Sequence, residues 1–348
     1  MKLTDIFNKN PLNPPPFWMM RQAGRYLPEY LELRKQSPDF MKFCFNQESI
    51  VEATLQPLRR FNLDAAIIFS DILIIPHVLG QKVTFAKNHG PVLELLDFEK
   101  LKATALKNSW QEDLAVVYKA ITEVKKQLKD EKDVFGFCGS PWTVACYMLE
   151  GKKSNQGEFE SVENLLKTNP EKIKEIIDFL TPLLATHLEN QQKAGASIVQ
   201  IFDSWAGYVP KNYQNDFLFD PLRKIISHLR EKCGKKFPVM YFGRSISDSY
   251  ASINDLDAFV GFQVDQSADL VTIREELGLQ RVLQGNLDPE LLVLGGELLN
   301  HRVKEILKSQ EGYPFIFNLG HGILPHTPIS HVHQVLEVLQ SSSQNLAV

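Results

Sequence analysis

The segment Ile198-Val199-Gln200-Ile201-Phe202-Asp203-Ser204 is a short, largely apolar run that stops at an acid and a hydroxyl. Runs of this kind suit strands covered on both faces, as in parallel sheets. Working outward from it, the pattern recurs. Upstream lie residues 17–20 before Arg21, 65–69 before Ser70-Asp71, and 135–138 before Gly139-Ser140-Pro141. Downstream lie 239–242 before Gly243-Arg244, 259–262 before Gln263, 282–284 before Gly285-Asn286, and 315–319 before Gly320-His321.

Helical patterns fill the intervals. Leu114, Val117, Tyr118, Ile121, Val124 and Leu128 keep a one-sided apolar stripe. Asn169-Pro170 reads as an N-cap followed by proline at the first helical position, with Ile173, Ile176, Ile177 and Leu180 as the buried face. Pro182 is expected to kink or end that helix. Val332, Val335, Leu336 and Leu339 mark a last helix. Strands alternating with helices predict an α/β fold, a (β/α)8 TIM barrel, with a doubly wound open sheet as the alternative. The stretch 79–92 reads as an inserted β-hairpin. No Ser-, Pro- or Gly-rich linker divides the chain, so residues 1–340 are expected to form a single domain and 341–348 a flexible tail.

The chain has 348 residues, 44% of them hydrophobic and 23% charged, which is a globular composition with enough length for a large core. Lys plus Arg (38) against Asp plus Glu (42) leaves a formal charge of −4. No bulk positive field is available to hold nucleic acid or an anionic membrane, so an anionic ligand must meet a local cluster. Cys44, Cys138, Cys146 and Cys233 are scattered, which fits buried thiols in a reducing compartment. With no apolar run of signal or membrane-spanning length, a cytoplasmic location is expected. No metal site is expected, because no histidine has ligand spacing with a cysteine or carboxylate. The absence of a Gly-x-Gly-x-x-Gly or Walker loop argues against a nucleotide cofactor.

In a barrel, chemistry sits where strands end and βα loops begin. Those positions are Arg21, Asp71, the loop from Pro141 to Tyr147, Ser204, Arg244 and His321. Arg21, Arg25 and Arg34 fall within 14 residues and would suit several carboxylates or phosphates, since guanidinium donors match a carboxylate fork. They could equally be a solvated helix face paired with Glu29 and Glu32. Asp71 is either a carboxylate aimed at a ligand or a helix cap. Tyr147 is either a substrate donor or a core aromatic with a satisfied hydroxyl. Asp203 and Ser204 divide the same way between ligand and cap. His321, flanked by glycines that allow close approach, is either an imidazole donor or structural.

Beyond these alternatives, residues 15–30, Pro-Pro-Phe-Trp-Met-Met-Arg-Gln-Ala-Gly-Arg-Tyr-Leu-Pro-Glu-Tyr, closely resemble the N-terminal motif of the uroporphyrinogen decarboxylase family. Further matches follow in order. They are Phe69-Ser70-Asp71-Ile72; Pro141-Trp142-Thr143 with Tyr147-Met148 and Glu150-Gly151; Phe202 with Ser204 and Ala206-Gly207; residues 284–289; and Asn318-Leu319-Gly320-His321-Gly322. One departure stands out: where the family often has Gly-Leu-Asp-Trp, this chain has Gly261-Phe262-Gln263-Val264, and Asp265 is the acid that remains nearby.

The resemblance implies a (β/α)8 barrel, usually a homodimer, and a lyase of haem and porphyrin biosynthesis. It implies cofactor-free decarboxylation of the four acetate side chains of uroporphyrinogen III, giving coproporphyrinogen III. Carried over by position, it implies substrate binding by Arg21, Gln22, Ala23, Gly24, Arg25, Arg34, Asp71, Tyr147, Ser204 and His321, with Asp71, Arg21 and Tyr147 catalytic. An octacarboxylate with four inward N–H groups suits an arginine cluster at its rim and one carboxylate, Asp71, at its centre. Three rivals are weaker. Corrinoid methyl transfer would use a zinc thiolate from His-x-Cys, which is missing; a carrier would not need Asp71; and a sugar-phosphate enzyme would not put Asp288 in its phosphate loop.

Overall fold

The computed structural model describes residues 2–8, 11–85, 90–107, 109–151 and 159–344. Its main sheet has seven parallel strands: β1 (Ala65–Ile67), β4 (Asp133–Gly139), β5 (Ile198–Asp203), β6 (Val239–Gly243), β7 (Val260–Gln263), β8 (Leu283–Leu287) and β9 (Phe315–Leu319). They are hydrogen-bonded in that order. A doubly wound sheet requires the order to reverse at a switch point, so the strictly sequential order rules out that alternative. The hairpin expected after β1 is present: β2 (Val83–Phe85) pairs antiparallel with β3 (Pro91–Leu93). Its turn, residues 86–89, lies outside the described residues.

Residues 17–20 were expected as the first strand and correct that expectation. They make one parallel bridge, Phe17 to Phe317 on β9. The physical reason is that side chains take the donors a ladder would use: Met19 N–H donates to Gln22 Oε1 (3.1 Å) and Met20 N–H to Asn318 Oδ1 (2.9 Å). The segment still lies against both ends of the sheet, with Phe317 N–H donating to Pro16 O (2.8 Å) and Asp64 N–H to Phe17 O (2.9 Å).

Alternation along the strands divides the core into two clusters. Ile198, Phe202, Met240, Phe242, Phe135 and Ile316 pack with Trp18 and Met20 on one face, closed at one end by Leu3, Ile6 and Phe7. Val199, Ile201, Val239, Tyr241 and Val134 pack against the helices on the other. Between the apolar layers of the first face lies a buried amide network. Gln284 Nε2 donates to Gln263 Oε1 (2.9 Å) and to Gln200 Oε1 (3.2 Å), Gln200 Nε2 donates to Gln263 Oε1, and Trp18 Nε1 donates to Gln284 Oε1 (3.0 Å). Gln263, the departure from the family pattern, is therefore an interior residue.

Two helical expectations need correction. The helix Pro170–Lys193 runs through Pro182 without ending, because Pro182 sits on the exposed face, where the carbonyl it leaves unpaired can be hydrated. Asn169 occupies the cap position but its side chain makes no capping bond. The last helix spans Ile329–Gln344, so helix continues into the stretch expected to fray from Ser341. Residues 345–348 lie outside the described residues.

Candidate active site

The site grows from the carboxyl-terminal ends of the strands. Beyond residues 17–20 the chain turns sharply at Arg21, whose φ of 64° is unusual for a residue with a side chain. The guanidinium stem packs on Gly322: a Cβ at that position would stand 2.3 Å from Arg21 Cδ. The glycine is thus required by close approach, and it joins the first arginine motif to the last strand end. Arg21 is exposed by area yet enclosed by protein on most sides. Desolvation, helped by the positive charges of Arg25 and Arg244, lowers its proton affinity below that of a free guanidinium, while Tyr147 and Asp71 oppose the change.

The helix-face alternative for the arginines fails. The helix spans Pro28–Gln36, after Arg21 and Arg25. Glu29 takes a two-pronged contact from Arg60 (2.7 and 2.8 Å) and Glu32 pairs with Lys35 (2.6 Å). Among the described residues neither Arg21 nor Arg25 has a carboxylate within ion-pair distance. Arg34 behaves differently. Its guanidinium donates to the carbonyls of Ser37 and Pro38 and lies 5.3 and 4.8 Å from the rings of Phe40 and Phe43. It finishes its own helix.

Asp71 follows β1. Its Oδ1 accepts the N–H of Leu73 (2.8 Å), a local turn, while the helix Ile74–Val78 starts beyond it with Leu73 at the cap position. Oδ2 has no donor among the described residues. Desolvation pushes the carboxyl up from 3.8 to about 6, against the pull of the Leu73 N–H and Arg21. Beside it, the Ser70 hydroxyl is buried without a partner.

Tyr147 lies on the helix Pro141–Glu150, which Ser140 caps through Thr143 N–H (3.0 Å). Burial pushes its phenol up to about 12, so it is a neutral donor, and both Asp71 and Arg21 act on it. Its ring meets Trp205 edge-on at 6.1 Å, and the Trp205 indole N–H is buried without a partner at hydrogen-bonding distance. Asp203 is a support: it accepts from Thr143 Oγ1 (2.7 Å) and Tyr241 OH (2.9 Å), and is fully buried. Ser204, the next residue, is partly open and has no side-chain partner among the described residues.

His321 ends β9. Its Nδ1 accepts the N–H of Gly322 (2.6 Å), which assigns the proton to Nε2. Desolvation, with Arg21 and Arg244 nearby, lowers its pKa to about 3, so it is a neutral hydrogen-bond donor. In the first loop, Gln22 is fully buried and its amide is committed to Met19 N–H and Ala65 O (3.1 Å). Ala23 and Gly24 are partly open, and the N–H groups of Ala23, Gly24 and Arg25 have no protein acceptor among the described residues.

Arg21, Arg25, Asp71, Tyr147 and His321 thus come together, with Ser204 on the same rim. Gln22 and Arg34 are turned to other partners. Sequence reading gave no role to Trp205; for Gly322 it expected close approach by a ligand, whereas the group that approaches it is the Arg21 stem. Among the described residues no three His, Cys, Asp or Glu groups are arranged to hold a metal ion, and no helix is long and apolar enough to cross a membrane.

At the strand ends of a parallel α/β sheet, guanidinium groups with no carboxylate partner among the described residues thus stand beside one desolvated carboxylate. The family model for uroporphyrinogen decarboxylase matches residues 2–342. Uroporphyrinogen decarboxylase of Chelativorans sp. (strain BNC1) is 38% identical over 337 residues, covering 97% of each chain. That of Rickettsia canadensis (strain McKiel) is 40% identical over 330 residues, covering 94% of this chain and 95% of the relative. The chain belongs to the uroporphyrinogen decarboxylase family. In fold it is also similar to a methyltransferase from Methanosarcina mazei (TM-score 0.73, 16% identity, 97% of each chain).

Proposed function

We propose that this cleft removes the carboxyl groups from the four acetate side chains of uroporphyrinogen III, giving coproporphyrinogen III and CO2 without a cofactor. Decarboxylation of uroporphyrinogen in tetrapyrrole biosynthesis is the activity of the family. The observation that carries the finer reading is the Asp71 carboxylate: desolvated, with one oxygen free, and acted on by Arg21. Four pyrrole N–H groups converging on one point need such an acceptor.

The chemistry follows from electron demand. A proton added to the ring carbon next to the acetate-bearing carbon makes that pyrrole an iminium-like cation. The C–C bond to the carboxylate then breaks, its electron pair enters the cation, and CO2 leaves. A proton added at the resulting methylene and one lost from the ring restore the pyrrole, so each cycle converts –CH2–COO⁻ and H⁺ to –CH3 and CO2. Asp71 stabilises the cation from a fixed position in a low-dielectric cleft. Arg21 orients the acetate or donates the first proton; its lowered proton affinity makes it a less reluctant acid than a free guanidinium. Tyr147 and His321 are neutral donors to carboxylates.

The same reading extends to architecture and setting. The contacts of residues 16–20 with β9 and with Asp64 support a single-domain (β/α)8 barrel closed by that segment. A homodimer in the cytoplasm, with no nucleic-acid or membrane partner, is the assembly proposed from the family resemblance and the charge balance.

The test is anaerobic incubation with freshly reduced uroporphyrinogen III and a chelator, products being oxidised and separated by carboxyl number. A chelator-insensitive ladder from eight carboxylates to four supports the reading. An unchanged octacarboxylate overturns it.

A further inference from the structure

The chain contains eleven arginines: Arg21, Arg25, Arg34, Arg59, Arg60, Arg223, Arg230, Arg244, Arg274, Arg281 and Arg302. Most are committed. Arg59, Arg60, Arg223, Arg230 and Arg302 pair with carboxylates, and Arg34, Arg274 and Arg281 donate to backbone carbonyls. The three whose guanidinium groups have no protein acceptor among the described residues are Arg21, Arg25 and Arg244. Unpaired guanidinium groups are rarely scattered at random when they are enclosed, because each forgoes the five hydrogen bonds it can make.

Arg244 stands apart from the other two in chain and in space. It follows β6, the middle strand of the seven, whereas Arg21 and Arg25 follow the segment that lies against β9 and Asp64 at the sheet's two ends. It is half-buried, and its charge is felt by both Arg21 and His321, which puts it on the rim of the same cleft. Its backbone is held on every side. The N–H donates to Asp203 O (3.1 Å) and the carbonyl accepts from Gly207 N–H (3.0 Å). The next residue, Ser245, has φ of 59°, a conformation that costs free energy for a residue with a Cβ.

That conformation is secured by a buried acid. Asp265 Oδ2 accepts the Ser245 N–H (2.6 Å), and its Oδ1 is fixed by Ser267 N–H (2.9 Å) and the Ser267 hydroxyl. On the other side, Gly207 leaves room for Ser245, whose Cβ would stand 2.8 Å from a Cβ at that glycine. A strained residue braced from two sides next to an unpaired guanidinium is a positioning device.

We propose that Arg244 binds a peripheral carboxylate of the tetrapyrrole on the side of the cleft opposite Arg21 and Arg25, and that Asp265 positions it through Ser245. This rests on the reading of the cleft as a uroporphyrinogen site. A ring with carboxylates around its whole circumference needs cations on more than one side, and Arg34 is committed elsewhere. Arg244 would supply such a cation on the far side.

The test is steady-state turnover of uroporphyrinogen III, with equilibrium binding of the oxidised octacarboxylate, for wild type, R244Q, R244K and D265N. R244Q is expected to raise KM and Kd by about tenfold or more with kcat within about threefold, the loss of one charge-assisted contact. R244K is expected to recover most of the affinity, and D265N to weaken binding less than R244Q and to add little to it in the double variant. Unchanged KM and Kd in R244Q overturn the proposal, as does a fall in kcat at constant KM. If R244Q does not melt cooperatively, the same comparison is made between R244M and R244K, where equal affinities overturn it. Wild-type protein that binds but does not turn over defeats the decarboxylase reading alone, since Kd still reports on Arg244.

Discussion

Replacing Asp71 with asparagine is expected to abolish turnover and, at the same time, to stabilise the protein at neutral pH. The carboxyl is raised from 3.8 to about 6 chiefly by desolvation, and that value already includes the favourable pull of Arg21 and the Leu73 N–H. At about 1.4 kcal/mol per pH unit the difference corresponds to about 3 kcal/mol of unfavourable ionisation in the empty cleft. Asp71 keeps a partly open face, so screening reduces the expected gain to about 1–2 kcal/mol. Between pH 3.8 and about 6 the folded chain holds a proton that the unfolded chain has released. Wild-type stability therefore falls as pH rises through that window, and the asparagine variant lacks this slope. The amide oxygen keeps the acceptor for Leu73 N–H, so the local turn survives. Urea unfolding of both proteins at about pH 4 and about pH 8 reads the difference: near zero at the lower pH, fully developed at the higher. Turnover should fall by about a hundredfold or more, the usual scale for losing a preorganised charge. A variant no more stable than wild type at about pH 8, or one that keeps near-normal turnover, refutes the argument.

Further expectations follow from the same geometry. The acid limb of kcat/KM should have an apparent pKa of about 6, set by Asp71, and should persist in His321→Asn, because His321 is already neutral throughout that range; loss of the limb in that variant would reassign it. Gly322→Ala should displace the Arg21 stem and lower kcat/KM by about tenfold or more while the melting temperature changes little, since the glycine borders a side chain and not a packed core. Gln263→Leu should destabilise by about 2–4 kcal/mol in urea unfolding, because it strands the amide donor of Gln200, takes one of two acceptors from Gln284 and leaves the Leu319 carbonyl without the Gln263 amide. A loss below about 0.5 kcal/mol would mean that the network rearranges around the gap.

How far the sequence could be read depended on whether a residue's role is local. Strands β4 to β9 were legible because burial on both faces leaves runs with few polar residues, and the strand ends were legible because they break at Asp, Ser, Arg or Gly-His. The segment 17–20 carries the same apolar pattern, yet Gln22 and Asn318 replace its ladder, and Asn318 is distant in sequence. Pro182 misled for a related reason: the rule that proline ends a helix assumes the freed carbonyl is buried, and which face meets solvent is a tertiary fact.

The site divides along the same line. Arg21, Asp71, Tyr147 and His321 could be picked out by position, but their chemistry could not. Asp71 and Tyr147 have ordinary side chains whose proton affinities are moved by enclosure, and enclosure is created by walls drawn from many strands. Arg34 and Arg244 make the point most directly. Arg34 joins a dense cluster in sequence but finds carbonyls and aromatic rings within its own neighbourhood, so proximity along the chain satisfied it. Arg244 stands apart from the other arginines in sequence, and the acid nearest to it along the chain, Asp248, is taken by Lys211 (2.6 Å), so among the described residues its guanidinium has no acceptor. For a binding cation what counts is whether a local acceptor claims its donors: Arg21 and Arg25 come from the same cluster and have no protein acceptor among the described residues, whereas Arg34 spends donors on the carbonyls of Ser37 and Pro38.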